Sequence, residues 1–508
     1  MNAERETHET PAEMPERPRP WLERPHAGVT LLLGLALLFW LCFALAGTFS
    51  PPEERIAGAE PVAHYAWIRS LVFDRDVDFE NEYRALASGD VPAAGNPVDP
   101  DGPRTAPGWA PNRASLGPGV LWAPFLGLGH VTARLGGLPA DGFSQPYHTA
   151  VFLANIVYGT AGALLAYAAF RARWGKRASA LAAVGAWACS SALYYTYARE
   201  ALPHACAFFA ASLFLCAWLH LRTREALWAW AVIGGALGLA ALVQWQSAAF
   251  VVIPAVDLLW RSSRVKLARF LACAAAAVLV FSPQMPCWQA LYGTPILIPG
   301  GAGGAAWFHP AVFRVLFSAR EGLFTWTPLM AAGLLGLGFC PKEDKRVCVA
   351  LAAAVLIQVY LAACAGDAGA SFGMRFLVPC APLLGAGLAV LFSRRLASRP
   401  GWTAAVTAAC VFWNALFVMQ YAGLLDQLYL NEALYALSEE QQVSVDVLAT
   451  MDRLPDGTTF DIEAFARANQ FPRDAAPSLR QFIPDKLTVL LVFGRRVLGA
   501  GAPGLLTG

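Results

Sequence analysis

The chain has 508 residues, of which 56% are hydrophobic and only 15% are charged. Soluble domains carry about 25% charged residues, so this composition excludes an ordinary soluble protein and indicates a protein of the membrane. The formal net charge is +2, and no basic patch with interleaved aromatic residues points to nucleic acid. The eleven cysteines include no CxxC pair, so we expect small buried hydrophobic residues there and no metal site.

The first apolar segment, 28–48, carries no charge and is long enough to cross a bilayer. Its end, around Ala44 and Ala46, resembles the cleavage site of a signal peptide. The apolar core is longer than the usual 7–15 residues or so, and a polar tail precedes it. We therefore expect a retained membrane span, with residues 1–27 as a cytoplasmic tail.

Further apolar runs of spanning length recur along the chain. They lie at about 147–170, 178–197, 202–221, 227–260, 267–286, 323–340, 346–364, 376–393 and 402–424. The run 227–260 is too long for one crossing and carries Gln244 and Gln246 in its middle, so it predicts two short helices meeting at a polar turn. The sequence thus predicts an all-α, polytopic membrane protein with about eleven transmembrane helices.

Basic residues occur in every second loop between these runs. They are Arg171, Arg173, Lys176, Arg177, Arg222, Arg224, Arg261, Arg264, Lys266, Arg269, Lys342, Lys345, Arg346, Arg394, Arg395 and Arg399. The positive-inside rule makes these loops cytoplasmic, which puts the N-terminus inside. Residues 49–146 then form one long outer loop, and 425–508 a small outer region. The segment 117–135 must stay on that side, and its prolines and glycines suit an interfacial or re-entrant helix.

Acidic residues crowd the start of this outer loop. Glu60 opens an amphipathic stretch, 64–71, that is rich in aromatic residues. A carboxylate fixed near the bilayer surface by aromatic side chains is well placed to act as a general base.

A second acidic group follows, with Asp74, Asp76 and Asp78 at alternate positions and Glu82 beyond them. Three close carboxylates raise one another's pKa or collect a cation. We interpret Asp76 and Asp78 as catalytic or orienting residues and Asp74 and Glu82 as substrate-binding residues. The alternative is a solvated loop whose acids pair with neighbouring arginines such as Arg69.

The remaining outer charges lie at the expected mouths of helices. Arg199, Glu200 and His204 fall in one short loop, and Arg320 and Arg375 precede two later spans. Arginine binds phosphate with two parallel hydrogen bonds, so Arg320 and Arg375 are candidates to hold an anionic head group. Arg199, Glu200 and His204 are candidates to bind substrate. The alternatives are helix capping for the first three residues and snorkelling to the interface for the last two.

Several motifs together resemble the GT-C superfamily of membrane glycosyltransferases, which includes protein O-mannosyltransferases and the aminoarabinose transferases of lipid A. These motifs are 64–71 (HYAWIRSL), 74–83 (DRDVDFENEY), 316–328 (LFSAREGLFTWTP) and 371–375 (SFGMR). They look most like those of an uncharacterised bacterial subgroup, and the resemblance covers residues 28–424. It implies a GT-C-like bundle in the bacterial inner membrane whose long first outer loop carries amphipathic or re-entrant helices.

The resemblance also implies a reaction. A first-loop carboxylate deprotonates the acceptor hydroxyl, and basic residues hold the lipid phosphate of a polyprenyl-phosphate sugar. The acceptor would be a lipid-linked glycan or a protein, and transfer of the hexose or pentose would be inverting. No nucleotide sugar or cofactor is required, although Asp74, Asp76 and Asp78 could hold a divalent cation. The matching residue here is Glu60 where the family usually has aspartate, which leaves the base role open between Glu60 and the Asp74–Asp78 run.

Two other classes remain as alternatives. A lipid or glycan transporter would carry ionisable residues in the middle of its spans and repeated halves, and neither pattern is visible in this sequence. A non-enzymatic scaffold or an inactive relative remains possible because Glu60 departs from the family pattern.

Overall fold

The computed structural model describes most of the chain. The described residues are 21–24, 26–47, 49, 56, 58–86, 102–199, 201–260, 263–297, 306–318, 321–365, 371–424, 426–448, 451, 453–455, 459–462, 465 and 482–497. Within these residues the regular elements are helices, apart from one isolated bridge between Arg453 and Thr459. The predicted all-α class is therefore confirmed.

Helices of the bundle follow the apolar runs of the sequence. In chain order, the α-helices are α1 (Ala27–Ala46), α2 (Ala59–Arg69), α3 (Glu80–Leu86), α4 (Gly117–Leu135), α5 (Gln145–Trp174), α6 (Lys176–Ala188), α7 (Ala192–Tyr197), α8 (His204–Leu221), α9 (Leu227–Val243), α10 (Val252–Leu259), α11 (Arg264–Phe281), α12 (Gln284–Tyr292), α13 (Val312–Phe317), α14 (Leu323–Trp326), α15 (Pro328–Gly338), α16 (Lys345–Cys364), α17 (Ala381–Val390), α18 (Pro400–Met419), α19 (Asp426–Gln441), α20 (Val445–Leu448) and α21 (Phe482–Val497). Tighter or wider turns extend α17 to Arg375–Arg395 and α18 to Pro400–Leu424.

Six helices of the described residues are long and apolar enough to cross a membrane, or up to seven if one bent pair counts as a span. Large apolar side chains along α1, such as Leu37, Leu38 and Leu45, are exposed. An exposed apolar helix surface of this size suits contact with lipid. The chain is therefore a multi-pass membrane protein. The predicted number of about eleven spans is not confirmed within the described residues.

Several apolar runs form broken helices instead of straight spans. The run 227–260 becomes α9 and α10, joined at Gln244 and a 3₁₀ turn (Trp245–Val251), which confirms the expected polar break. Gln244 Nε2 donates to the carbonyl of Phe376 (2.9 Å). The next apolar run also bends, by 49° between α11 and α12. Side-chain amides can compensate backbone groups at such breaks inside a membrane protein.

The loops predicted to be cytoplasmic meet at one end of the bundle. Asp344 pairs with Arg173 and Arg394 and accepts from the indole of Trp174 (3.1 Å). A second buried carboxylate, Asp257, pairs with Arg222 and Arg346 and accepts from Trp218 (2.9 Å). Each carboxylate thus satisfies its charge with two guanidinium groups, as a buried ion requires.

The described residues of the loop 49–146, which is predicted to lie outside, pack against the helix ends opposite those loops. Helix α4 lies on α2, α5 and α9, and a Cβ at Gly117 would come within 2.4 Å of the backbone of Leu242. Only glycine permits this close approach. Helix α4 is not among the helices long and apolar enough to span, and its placement as an interfacial or re-entrant helix stays a prediction.

Two features differ from the simplest expectation. Cys340 and Cys348 form a disulfide, so for this pair the expectation of small buried hydrophobic residues is wrong. In the C-terminal region, α21 packs against α1 and α18, with Leu490 and Phe493 lining an apolar groove of about 350 Å³ between these helices. Part of 425–508 therefore belongs to the bundle surface.

Candidate active site

Glu60 lies in the first turn of α2, and the rest of this helix is firmly anchored. The Tyr65 hydroxyl donates to the carbonyl of Gly142 (2.6 Å), and the Trp67 indole donates to that of Ala114 (2.9 Å). Asn112 donates to the carbonyl of Ala63 (2.8 Å). The aromatic residues of the amphipathic stretch thus fix α2, and Glu60 projects from its first turn with 30% of its side chain exposed.

Arg375 begins the helical segment that contains α17. Just before it, Phe372 stacks on Tyr194 (4.5 Å) and lies edge-on to Trp326 (5.1 Å). Gly373 follows with φ of +54°, a left-handed conformation that glycine adopts without steric cost. Two of the motifs that carry the resemblance, around Trp326 and around Phe372, are therefore packed together beside the guanidinium.

The structure brings Glu60 and Arg375 into direct contact. Arg375 Nη1 lies 2.8 Å from Glu60 Oε2, although 315 positions separate these residues in the sequence. With 30% and 19% of the two side chains exposed, the pair is open to solvent on one side. A charge-assisted contact of this kind is strong but still exchangeable.

His204 completes this arrangement from the start of α8. Its ring packs on Tyr195 (4.5 Å between centroids), and 2% of its side chain is exposed. Nε2 lies 3.7 Å from Glu60 Oε1. Neither ring nitrogen has a hydrogen-bond partner in the described part of the chain. A buried imidazole without partners costs free energy, so its position requires an explanation.

His64 is the fourth residue of the site. It was not among the candidates predicted from the sequence. It follows Glu60 by four positions on α2, and Nδ1 lies 3.2 Å from the carbonyl of Ser115. Burial lowers the pKa of His64, and Arg375 adds to this, against opposing effects of Glu60 and the Ser115 carbonyl. The i, i+4 spacing from Glu60 was the available signal.

The acidic run following α2 folds around Arg69 and not around Glu60. Arg69 pairs with Asp74 and with Glu82 (2.9 Å), and Asn81 donates to Asp74 (2.7 Å). The guanidinium of Arg69 also lies over the ring of Phe143 (4.2 Å). Burial raises the pKa of Glu82 to about 7, although the hydrogen bond from Arg69 lowers it. These contacts correspond to the alternative of acids paired with arginine.

Asp76 and Asp78 hydrogen-bond within their own turn. Asp76 Oδ1 accepts from Ser70 Oγ (2.8 Å) and from the backbone N–H of Asp78 (3.2 Å), and Asp78 Oδ1 accepts from the N–H of Glu80 (3.2 Å). In the described residues no ion pair or hydrogen bond joins either aspartate to Glu60 or Arg375. Their roles in substrate binding stay predictions.

The cation considered at Asp74, Asp76 and Asp78 also stays a prediction. Among the described residues no group of three or more His, Cys, Asp or Glu side chains could hold a metal ion.

The other predicted residues lie around Tyr195 or outside the described chain. The Tyr195 hydroxyl donates to the carbonyl of Phe372 (3.3 Å), and the backbone N–H of Arg199 donates to the carbonyl of the neighbouring Tyr194 (3.3 Å). Arg199 is therefore close to the site. Glu200 and Arg320 fall outside the described residues.

Comparisons with known proteins give likeness at the level of fold. No family model matches the chain, and no curated protein sequence matches it either. The solved structures similar to it include ArnT from Cupriavidus metallidurans in the apo state (14% identity, TM-score 0.45, covering 93% of this chain and 77% of that one). ArnT bound to undecaprenyl phosphate is similar to the same degree (14%, 0.45, 94% and 78%).

The oligosaccharyltransferase of Archaeoglobus fulgidus in the apo form is also similar (13% identity, TM-score 0.46, covering 78% of this chain and 56% of that one). These proteins belong to the GT-C superfamily, the superfamily that the sequence motifs resemble. At 13–14% identity and TM-scores of 0.45–0.46 the likeness is weak and assigns no activity to this chain.

Proposed function

We propose that this protein is an integral membrane glycosyltransferase that transfers a sugar from a polyprenyl phosphate to a lipid-linked glycan or a protein. The observation that carries the proposal is the contact of Glu60 with Arg375 (2.8 Å) beside the buried His204. A proton acceptor and a phosphate-binding guanidinium are the two groups that such a transfer needs, and both lie at the ends of apolar helices.

In the proposed reaction Glu60 is the general base. It takes the proton of the acceptor hydroxyl while the hydroxyl oxygen attacks the anomeric carbon. The bond from that carbon to the phosphate oxygen breaks, and its electron pair stays on the phosphate. Arg375 stabilises the growing charge of this leaving group. A single displacement of this kind inverts the configuration at the anomeric carbon.

The other predicted residues have proposed roles around this pair. Asp76 and Asp78 would orient the sugar or the acceptor, and Arg320 would bind the phosphate together with Arg375. Asp74, Glu82, Arg199, Glu200 and His204 would contribute to substrate binding. The positive-inside rule puts the site on the extracytoplasmic face of a bacterial inner membrane.

The proposal can be tested with the full-length protein in nanodiscs. We would supply polyprenyl-phosphate hexoses and pentoses with a lipid-linked glycan or peptide acceptor and measure release of free polyprenyl phosphate by mass spectrometry. Glu80→Gln is a matched control, since this exposed carboxylate of the same loop pairs with Arg84 and Arg104. We expect release by wild type and control alike. Transfer from nucleotide sugars alone, or lipid movement without bond cleavage, would contradict the proposal.

A further inference from the structure

The contact between Glu60 and Arg375 brings the two groups to one site, but the reaction proposed above, on which this inference rests, requires them to separate when substrate binds. In a near-attack geometry the acceptor oxygen lies about 3–3.5 Å from the anomeric carbon. The leaving oxygen is on the opposite side of that carbon. Glu60 must reach the first oxygen and Arg375 the phosphate of the second. At 2.8 Å between carboxylate and guanidinium, no sugar fits between them, so the two side chains must separate before the reaction.

A phosphate can replace the carboxylate at Arg375. A planar carboxylate and a tetrahedral phosphate each offer two oxygen acceptors that a guanidinium binds through parallel N–H donors. A lipid phosphate that docks at Arg375 therefore competes directly with Glu60 Oε2. Because 30% of the Glu60 side chain and 19% of the Arg375 side chain are exposed, the competitor can approach without unfolding the site.

A second partner for the displaced carboxylate is already in place. Glu60 Oε1 lies 3.7 Å from His204 Nε2, so a movement of less than about 1 Å would create a hydrogen bond. His204 is buried, and its ring nitrogens have no hydrogen-bond partner among the described residues. The movement would satisfy one of them. Tyr195 holds the ring from its other side (4.5 Å).

We propose that the donor's phosphate displaces Glu60 from Arg375, and that His204 then positions the freed carboxylate toward the acceptor. Arg375 thus couples donor binding to release of the base. Glu60 Oε2 is engaged by Arg375 in the resting state and meets an acceptor hydroxyl only after the donor has bound.

This displacement can be tested by asking whether Glu60→Gln raises or lowers the affinity for polyprenyl phosphate. We would measure the affinity of polyprenyl phosphate without sugar for the wild type, Glu60→Gln, Glu60→Asp and the control Glu80→Gln in nanodiscs. Glu60→Gln removes the competitor, so it should bind about 3- to 10-fold more tightly than the wild type. Damage to the site would weaken binding instead. Glu80→Gln should bind as the wild type does, and Glu60→Asp should lie between wild type and Glu60→Gln.

Double variants show whether the gain depends on the proposed partners. In the Arg375→Ala background, Glu60→Gln should give no gain, since there is no guanidinium to free. His204→Phe keeps a ring on Tyr195 but cannot hold the freed carboxylate. It should weaken binding about 2- to 5-fold when Glu60 is present and have no effect with Glu60→Gln.

Three outcomes would overturn the inference. They are equal or weaker binding by Glu60→Gln, an equal gain in the Arg375→Ala background, and the same loss from His204→Phe in both backgrounds. If the wild type transfers sugar but Glu60→Gln shows no gain in affinity, only the displacement fails. If the wild type binds no polyprenyl phosphate at all, the proposed function fails as well.

Discussion

At the scale of single residues, the charge of Glu60 should matter more than its volume. Glu60→Gln keeps the shape of the side chain and removes the proton acceptor. Transfer should therefore fall by a factor on the order of 10²–10⁴, with an unchanged amount of folded protein. Glu60→Asp should keep partial activity, since it retains a carboxylate one methylene shorter. The measurement is turnover of a polyprenyl-phosphate sugar by purified variants.

Variants of the acidic run should lose less transfer activity than variants of Glu60. Asp76 and Asp78 hydrogen-bond within their own turn, so Asp76→Asn and Asp78→Asn should reduce transfer less than Glu60→Gln does. A fully active Glu60→Gln protein, together with an inactive variant at either aspartate, would move the base role to the acidic run.

Donor binding should depend on the paired N–H donors of the Arg375 guanidinium as well as on its positive charge. Arg375→Lys keeps one positive charge but loses the paired donors, so donor binding should weaken. Arg375→Ala should nearly abolish it. Because the charge of the leaving group grows in the transition state, turnover should fall as well as affinity. We expect the same order of effects for Arg320→Lys and Arg320→Ala. Wild-type affinity and turnover in both Ala variants would leave these arginines as interface anchors.

At the scale of elements, the segment from α2 to α3 is folded around a buried arginine. Arg69 binds Asp74, Glu82 and the carbonyl of Asp141 (3.1 Å). Breaking a buried ion pair by removing one partner leaves an uncompensated charge, which costs about 3–5 kcal/mol. This network therefore stabilises the outer loop that presents Glu60.

Glu82 makes the stability of this loop depend on pH. Its pKa is about 7 in the folded protein, against an ordinary value of 4.5. The folded state thus holds a proton that the unfolded state has lost, and the free energy of unfolding falls as the pH rises from about 4.5 to about 7. Glu82→Gln keeps an acceptor for Arg69 and does not titrate, so this part of the pH dependence should disappear.

Thermal unfolding in detergent between pH 4.5 and 8 measures this effect. The wild type should lose stability on the order of 1–3 kcal/mol across the window, and Glu82→Gln should lose less. Glu80→Gln is the control, because the hydrogen bonds from Arg84 and Arg104 lower the pKa of the exposed Glu80. An identical pH profile for Glu82→Gln and wild type would show that Glu82 stays ionised throughout.

At the scale of the whole molecule, charged residues are sorted to two opposite ends of the helices. His204 begins α8 and Arg222 follows its end, just as Arg375 and Arg394 lie at the two ends of one helical segment. The Glu60 site is at the first end, and the Asp257 and Asp344 ion pairs are at the other. The basic loops thus share one end, as their alternation along the sequence predicted.

Labelling with a membrane-impermeant reagent can assign these ends to the two sides of the membrane. In a variant without accessible native cysteines, single cysteines at the exposed Ala106 and at Ala140 and Ala500 should react from the outside. The reason is that the basic loops define the inside by the positive-inside rule. A cysteine at Arg224 should react only after the membrane is opened. Reaction of Ala140→Cys from the inside alone would mean that α4 spans, and the proposed geometry of the site would be wrong.

The class of protein, the positions of most membrane helices and the polar break at Gln244 could be predicted from the sequence. Each of these follows from local composition, since a bilayer requires long uncharged helices and excludes unsatisfied backbone. The sequence also marked Glu60, His204 and Arg375 as candidates, because charged residues at helix mouths are scarce. Local patterns could not show which of the ten candidates share one site.

The grouping of these residues depends on tertiary contacts. Glu60 and Arg375 meet because α2, α8 and the segment after Gly373 converge, and their contacts join residues more than 100 positions apart. In the sequence the acidic run 74–82 was as good a candidate for the catalytic base as Glu60. In the structure, Asp74 and Glu82 of this run pair with Arg69 and not with Arg375. Whether a carboxylate meets the buried Arg69 or the half-buried Arg375 depends on long-range packing, and no spacing within the sequence encodes that choice.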